Sequence, residues 1–287
     1  MIVLARPPSV AQDSPITDRE YAQFQRLIYQ LAGISLSDAK RVLLVGRLGK
    51  RLKHFGFRTY SQYYDLIASG ERPDEVQTMV DLLTTNETYF FREPQHFEFL
   101  RRLVAEDHAG DSFRIWSAAS SSGEEAYSMA MVLAEHCRAG QWEVFGSDIS
   151  QTVLDRAAAS VYPMERTSGI PPEFLRKYCL KGVRSQAGRL SIAPSLRARV
   201  RFAQVNLTQP ITGVGQFDAI FLRNVMIYFD VETKRRVVSN LLPCLNPGGH
   251  FIVGHSESLN GISDELDLVR PTIYRKPDAR VRRGYAA

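Results

Sequence analysis

Polar side chains stand at the ends of four apolar stretches, and their types suit holding a ligand better than acid–base work. Arg223 and Asn224 follow the apolar run 217–222, FDAIFL. Asp148 ends residues 142–146, WEVFG, one step after Ser147. Asn206 and Leu207 follow VRFAQV at 200–205, and the small-residue loop AASSSGEE, 118–125, follows FRIW. Open α/β sheets hold their ligands outside the carboxyl ends of their strands. The small residues at 118–123 let a backbone approach a ligand closely, and Glu125 falls in the first turn of the next helix. That loop lacks the GxGxxG that a pyrophosphate needs, and acids at a helix start repel phosphate. A ligand with positive charge or hydroxyls and no phosphate fits better. S-adenosylmethionine has a sulfonium, an amino group and ribose hydroxyls.

Each of these residues also has a plainer reading. Asp148 lies about two dozen residues after Gly123, roughly where an acid grips an adenosine ribose, yet one Asp there equally caps the next helix. The Asn206 amide either reads adenine or closes a local turn. Four strand exits together weigh more than any one. The six histidines and three cysteines show no metal-ligand spacing, so no metal is expected, and the odd scattered cysteines suit a reducing cytoplasm.

The order strand, loop, helix, strand from Phe113 onward implies a parallel α/β sheet. Helices are predicted from about Glu124 to Cys137, from Gln151, and from Val231 to Leu245, with a last strand at Thr272 to Lys276. Between Tyr162 and Leu196 the alternation breaks. Residues 178–183 and 189–192 read as a β-hairpin, whose edge suits an extended peptide.

The first third is different. Thr17-Asp18-Arg19-Glu20 is a capping box opening a helix that Gly33 ends. A second helix from Ser37 or Asp38 places Val42, Val45, Leu48, Leu52 and Phe55 inward. Its outer positions are read as Lys40, Arg41, Arg47, Lys50, Arg51 and Lys53, with no acid from Ala39 to Tyr64. Such a run is either a solvated face or a docking surface for an acidic helix or phosphates. Two more helices, 60–68 and 74–83, complete a bundle. The expected organisation is a loose tail at 1–15, a helical domain at 16–83, and a linker at 84–93 that contributes to the site. A catalytic domain follows at 94–277 with a β-insertion at about 170–198, then a tail at 278–287.

Four motifs now carry a resemblance. NETYFFR at 86–92, IWSAASSSGEE at 115–125, GSDI at 146–149 and RNVMIYF at 223–229 are similar to those of the CheR-type chemotaxis protein methyltransferases. The similarity runs from about residue 17 to residue 276. It implies a Rossmann-like class I S-adenosylmethionine methyltransferase sheet, with a small all-α N-terminal domain and an inserted antiparallel β-subdomain. It also implies a protein-glutamate O-methyltransferase acting on chemoreceptors in the cytoplasm, with S-adenosylhomocysteine as product. Carried over by position, Asn86, Thr88, Arg92, Glu125 and Asp148 would surround the cofactor, together with Asn206, Leu207, Arg223 and Asn224. Arg92 and Tyr228 would lie nearest the reacting methyl. The helical domain would face the receptor, and the β-insertion is where some members hold a receptor's C-terminal pentapeptide. Ser122 and Ala126 stand where the family often has Thr and Pro.

Composition bounds the alternatives. The 287 residues carry a net charge of +5, which suits an acidic partner. No apolar run approaches ~18 residues, so no membrane span is expected, and the start lacks a secretory signal. A nucleic-acid methyltransferase would share the basic helix, but no NPPY-like loop or aromatic platform accompanies it. A non-catalytic receptor-docking module would not need Arg92, Asp148, Asn224 and Tyr228.

Overall fold

The computed structural model describes residues 15–107, 112–137 and 140–278. The tails expected at 1–15 and 278–287 fall outside these residues, apart from Pro15 and Asp278. The chain divides into two compact units, Met1–Leu83 and Thr84–Ala287.

The first unit is a bundle of α1 (Asp18–Ala32), α2 (Arg41–Phe55), α3 (Tyr60–Ala68) and α4 (Pro73–Leu83). The capping box at Thr17 and Glu20 is formed, and Gly33 ends α1 at φ 70°. Glu20 reaches further than its own helix: its second oxygen accepts from the Ser61 amide at 2.8 Å, tying α1 to the start of α3.

The face of α2 departs from expectation. Leu44, Leu48 and Leu52 are its buried residues, while Val42 is 82% exposed. The apolar stripe therefore begins at Leu44, and Val42 belongs to the outer face. Three of the six cations assigned to the surface are committed inside the unit. Arg51 makes a two-pronged bond to Glu75 of α4, at 2.7 and 2.6 Å. Glu75 is only 2% exposed and also accepts from the Tyr63 hydroxyl at 2.6 Å. Arg47 donates to the Leu82 carbonyl at 2.9 Å, and Arg41 meets Asp18 at 2.7 Å while lying over the Tyr21 ring. The acids absent from α2 itself come from neighbouring helices. Lys40, Lys50 and Lys53 remain exposed.

The second unit begins with α5 (Pro94–Arg102), then β1 (Ser112–Ser117), α6 (Glu124–His136), β2 (Gln141–Asp148) and α7 (Gln151–Ala159). An insertion follows: β3 (Val161–Pro163), α8 (Pro172–Tyr178), β4 (Cys179–Lys181), β5 (Arg189–Ile192) and α9 (Pro194–Arg197). The chain then returns with β6 (Val200–Gln204), β7 (Phe217–Leu222), α10 (Val231–Leu241), β8 (Leu245–Val253), β9 (Asp267–Arg270) and β10 (Ile273–Arg275).

The main sheet has the order β6-β2-β1-β7-β8-β10-β9. Its first five strands are parallel, and β10 runs antiparallel to both β8 and β9. The chain winds from β1 outward to β2 and β6, then crosses back to β7 on the other side of β1. The β1/β7 boundary is thus the topological switch point, where such sheets open a crevice. Register aligns the carboxyl ends: Ser117 lies beside Gly146 and Phe221, and Leu222 beside Val253. Gly146 is needed there, since a Cβ would stand 2.5 Å from the Phe202 ring of β6.

Below that edge the core is aromatic. Trp116 is fully buried against Phe145 and Phe217, and its indole N–H donates to the Ser147 hydroxyl at 2.9 Å. The expected hairpin is present as the antiparallel pair β4/β5, but β5 also pairs with β3. The insertion is therefore a three-stranded sheet of order β3-β5-β4. Three residues containing Pro163 were too short a signal to predict β3.

Candidate functional site

The site grows from the end of β1. The Ala118 amide donates to Phe221 of β7 at 2.9 Å, and the Ser120 amide donates to Ser147 of β2 at 2.8 Å. The loop therefore straddles both neighbours. It bends at Ser121 (φ 48°) and Gly123 (φ 92°) before entering α6. A Cβ on Gly123 would lie 2.9 Å from that of Ala157, so glycine answers both the turn and the packing.

Asp148 sits under this loop. One carboxylate oxygen accepts from the Ser121 amide at 2.9 Å and the other from the Ser150 amide at 3.0 Å. The acid thus joins the loop after β1 to the loop after β2, which is more than the helix cap its position alone suggested. Two buried hydroxyls on these stretches, those of Ser120 and Ser150, have no hydrogen-bond partner among the described residues. Asn206 takes the local option with its carbonyl oxygen, which accepts from the Thr208 amide at 3.0 Å and its hydroxyl at 2.7 Å. Leu207 is buried, and its carbonyl accepts from Asn240 of α10.

The exit of β7 is the charged centre. Arg223 is buried and donates to Glu125 at 2.7 Å. Its other terminal nitrogen lies 3.0 Å from Glu93 and donates to the Arg92 carbonyl. Its plane stands over the Phe97 and Phe221 rings. Burial pushes the Glu125 carboxyl up, against the opposing pull of Arg223 and of the Ser117 hydroxyl that donates to it at 2.7 Å. Burial also acts on Glu93, but Arg223 and the Asn224 amide outweigh it and hold that carboxyl below its ordinary value.

Segment 84–93 is pinned to the rest of the second unit at four points. The Ser121 hydroxyl donates to the Asn86 carbonyl at 2.9 Å, and Arg166 donates to the Thr88 carbonyl at 3.0 Å. The Phe91 amide donates to Ser128 at 3.0 Å, and the Arg92 carbonyl meets Arg223. Phe90 is driven into the core against Tyr162. Arg166 also pairs with the buried Glu124 at 2.8 Å, while burial pushes the Glu124 carboxyl up.

The Arg92 side chain is half-exposed. It donates to the Glu87 carbonyl at 2.9 Å and lies over the Tyr89 ring. Tyr228 is half-buried in the tight turn Met226–Tyr228. No hydrogen bond among the described residues joins Arg92 to Tyr228. They are linked through Arg223, which takes the Arg92 carbonyl and begins the turn that carries Tyr228.

Two acids that sequence reasoning passed over complete the site. Glu93 accepts from the Asn224 side chain at 3.1 Å and from the His255 amide at 3.2 Å. Glu257 accepts from the amides of Asn224, Met226 and Gly254 at 2.8, 2.8 and 2.7 Å. Glu93 adjoined a quoted motif and was within reach of sequence reasoning. Glu257 binds only backbone, so no spacing pointed to it. Histidines far apart in sequence also meet here: Glu93, His96 and His255 bring ligand-type atoms within 4.8 Å of one another. Burial, with Arg223 adding to it, pushes His96 down to about 4, so it is neutral at pH 7. Arg223 already supplies a positive charge to the Glu93 oxygen that faces both histidines.

The donor set fits a cationic, hydroxyl-bearing ligand. Asp148, Glu125 and Glu93 gather at the strand exits, the buried Arg223 guanidinium is paired with two of them, and the buried hydroxyls of Ser120 and Ser150, unpartnered among the described residues, lie on the loops that Asp148 joins. The model of the CheR methyltransferase SAM-binding domain matches residues 86–275, and that of the CheR methyltransferase all-alpha domain matches residues 19–84. The chain is 38% identical to the chemotaxis protein methyltransferase of Escherichia coli over 90% of this chain and 91% of that one. It is 37% identical to chemotaxis protein methyltransferase 2 of Pseudomonas aeruginosa over 92% and 95%. Among solved structures it is similar to the N-methyltransferase NodS of Bradyrhizobium japonicum in complex with S-adenosyl-L-homocysteine. That similarity has a TM-score of 0.40 and 16% identity, over 69% of this chain and 95% of that one.

Proposed function

The chain belongs to the CheR methyltransferase family, and from that premise we propose that it methylates glutamate side chains of chemoreceptors for chemotactic adaptation. The products are glutamate methyl esters and S-adenosylhomocysteine. The observation that supports this reading is the bond network beside the β1/β7 switch point: Ser121 joins Asp148 to Asn86, Arg223 joins Glu125 to the Arg92 carbonyl, and Asn224 bonds Glu93.

S-adenosylmethionine, when bound, supplies an electrophilic methyl carbon on a positively charged sulfur. Asp148 would take the ribose, from its place at the exit of β2 beneath the loop after β1. Glu125, Glu93 and the carbonyls of 86–92 would face the cationic end. Asn86, Thr88, Asn206, Leu207, Arg223 and Asn224 would shape the remaining walls. The substrate glutamate has an ordinary pKa near ~4.3, so its nucleophile is already ionised at pH 7 and needs no general base. A carboxylate oxygen bonds to the methyl carbon as the carbon–sulfur bond breaks, and the electron pair leaves with sulfur. No proton moves, and the reaction as written draws on no metal.

What the protein must supply is alignment, worth ~7–11 kcal/mol when reacting atoms are held in line. Arg92 has N–H groups beyond the one given to Glu87, and would hold the target carboxylate by charge-assisted bonds. Tyr228 would stand beside the methyl. Receptor docking would fall to the exposed Lys40, Lys50 and Lys53, and β4, one of the two edge strands of the insertion, would suit a receptor's C-terminal pentapeptide. No helix among the described residues is long and apolar enough to cross a membrane. The three scattered cysteines suit the cytoplasm that this reading assigns.

The test is transfer of labelled methyl from S-adenosylmethionine to receptor-bearing membranes. Base-labile label on the receptor is the expected result. Label on nucleic acid instead, or cofactor binding with no transfer, would overturn the reading.

A further inference from the structure

Three backbone amides from two loops converge on one carboxylate. Glu257 Oε2 accepts from the amides of Asn224 and Gly254, and Oε1 accepts from the amide of Met226. The carboxylate is buried, and hydrogen bonds to an ionised acceptor are roughly twice as strong as neutral ones. Asn224 is held at φ 57°, a left-handed conformation that asparagine enters more readily than most residues and that the bonds around it fix here. The side chains of the same turn are fixed by other groups: Arg223 by Glu125 and Glu93, and Asn224 by Glu93. Glu257 therefore governs the backbone path from Asn224 through Met226 to Tyr228, separately from the side chains that face the cofactor.

Gly254 completes the clamp. A Cβ there would stand 2.7 Å from the Asn224 side-chain nitrogen and 2.8 Å from Glu257 Oε2, so a glycine is what lets the two loops close on each other. Its φ is not left-handed, and space alone requires it.

We propose that Glu257, seated by Gly254, is a positioning residue for methyl transfer: it places Tyr228 at the reacting methyl by holding the backbone of the preceding turn, without touching cofactor or substrate. The inference rests on the proposed function, which puts Tyr228 beside the methyl. A misplacement of about 1 Å in such a site costs about 100-fold in rate.

Glu257→Gln keeps the shape but turns an N–H₂ group toward at least one amide donor. Gly254→Ala keeps the charge and pushes the same turn by bulk. Single-turnover methylation of receptor membranes at saturating S-adenosylmethionine should fall about 100-fold in each variant. For Glu257→Gln, whose altered group meets only backbone amides, affinity for S-adenosylhomocysteine, measured by calorimetry, should stay within about threefold and certify the fold. A rate within twofold of wild type in both folded variants would overturn the inference. So would an affinity loss that matches the rate loss, since the two acids at Arg223 would then not be holding the cofactor side independently. Absence of transfer by the wild-type protein would instead remove the proposed function, and so the two failures are distinguishable.

Discussion

At the scale of single residues, most of the site is charge held out of water. Arg223 stands between Glu93 and Glu125, and burial pushes the Glu125 carboxyl up against the guanidinium's pull. Removing one partner from a buried ion pair costs about 3–5 kcal/mol, because the other charge is left uncompensated. Arg223→Met should therefore lower the unfolding free energy of the second unit by about that much in urea titrations. A loss under ~1 kcal/mol would show that solvent reaches the cluster. Asp148 makes a different case. Its two amide bonds join neighbouring loops, and Asp148→Ala should cost about 1–3 kcal/mol of stability. It should also weaken S-adenosylhomocysteine binding by at least tenfold in calorimetry. Unchanged affinity would confine Asp148 to its structural bonds.

At the scale of elements, sequence read well where one periodic signal decided the outcome. β7 lies at Phe217–Leu222, the same residues as the apolar run, and its polar exit is where Arg223 meets the crevice. The capping box at Thr17 was legible because its four residues make both bonds locally. α2 was misread because its charges are balanced across helices: Arg51 finds Glu75 at a separation of 24 residues, which no reading of α2 alone reveals. Glu257 was missed for the same physical reason, since two of its three bonds run to backbone 33 and 31 residues away, at Asn224 and Met226. The corrected face sharpens the mutational test. Arg51→Ala should cost the helical unit about 3 kcal/mol by stranding Glu75, while Lys40, Lys50 and Lys53 changed together to Ala should leave stability within ~0.5 kcal/mol. The triple change should raise the KM for receptor several-fold and spare that for S-adenosylmethionine. Unchanged receptor kinetics would return those lysines to a solvated face.

At the scale of the whole molecule, the chain is two units with different interiors. The first is closed by a tyrosine-rich helical core, with Phe24 stacked on Tyr63. The second is a sheet whose working edge lies over Trp116. The chain has only two tryptophans, and the other, Trp142 at the start of β2, lies under Arg199 of the same unit. Tryptophan emission is thereby blind to the helical unit and reports the sheet alone, whereas far-ultraviolet circular dichroism sees the helices of both. If each unit melts as its own cooperative block, the two optical signals will part during thermal unfolding. If the chain melts as one, they will superimpose. Trp116 also makes the crevice visible without a label: its indole hydrogen bond ends on Ser147, beside Asp148, so ligand titrations can be followed by the colour and intensity of its fluorescence.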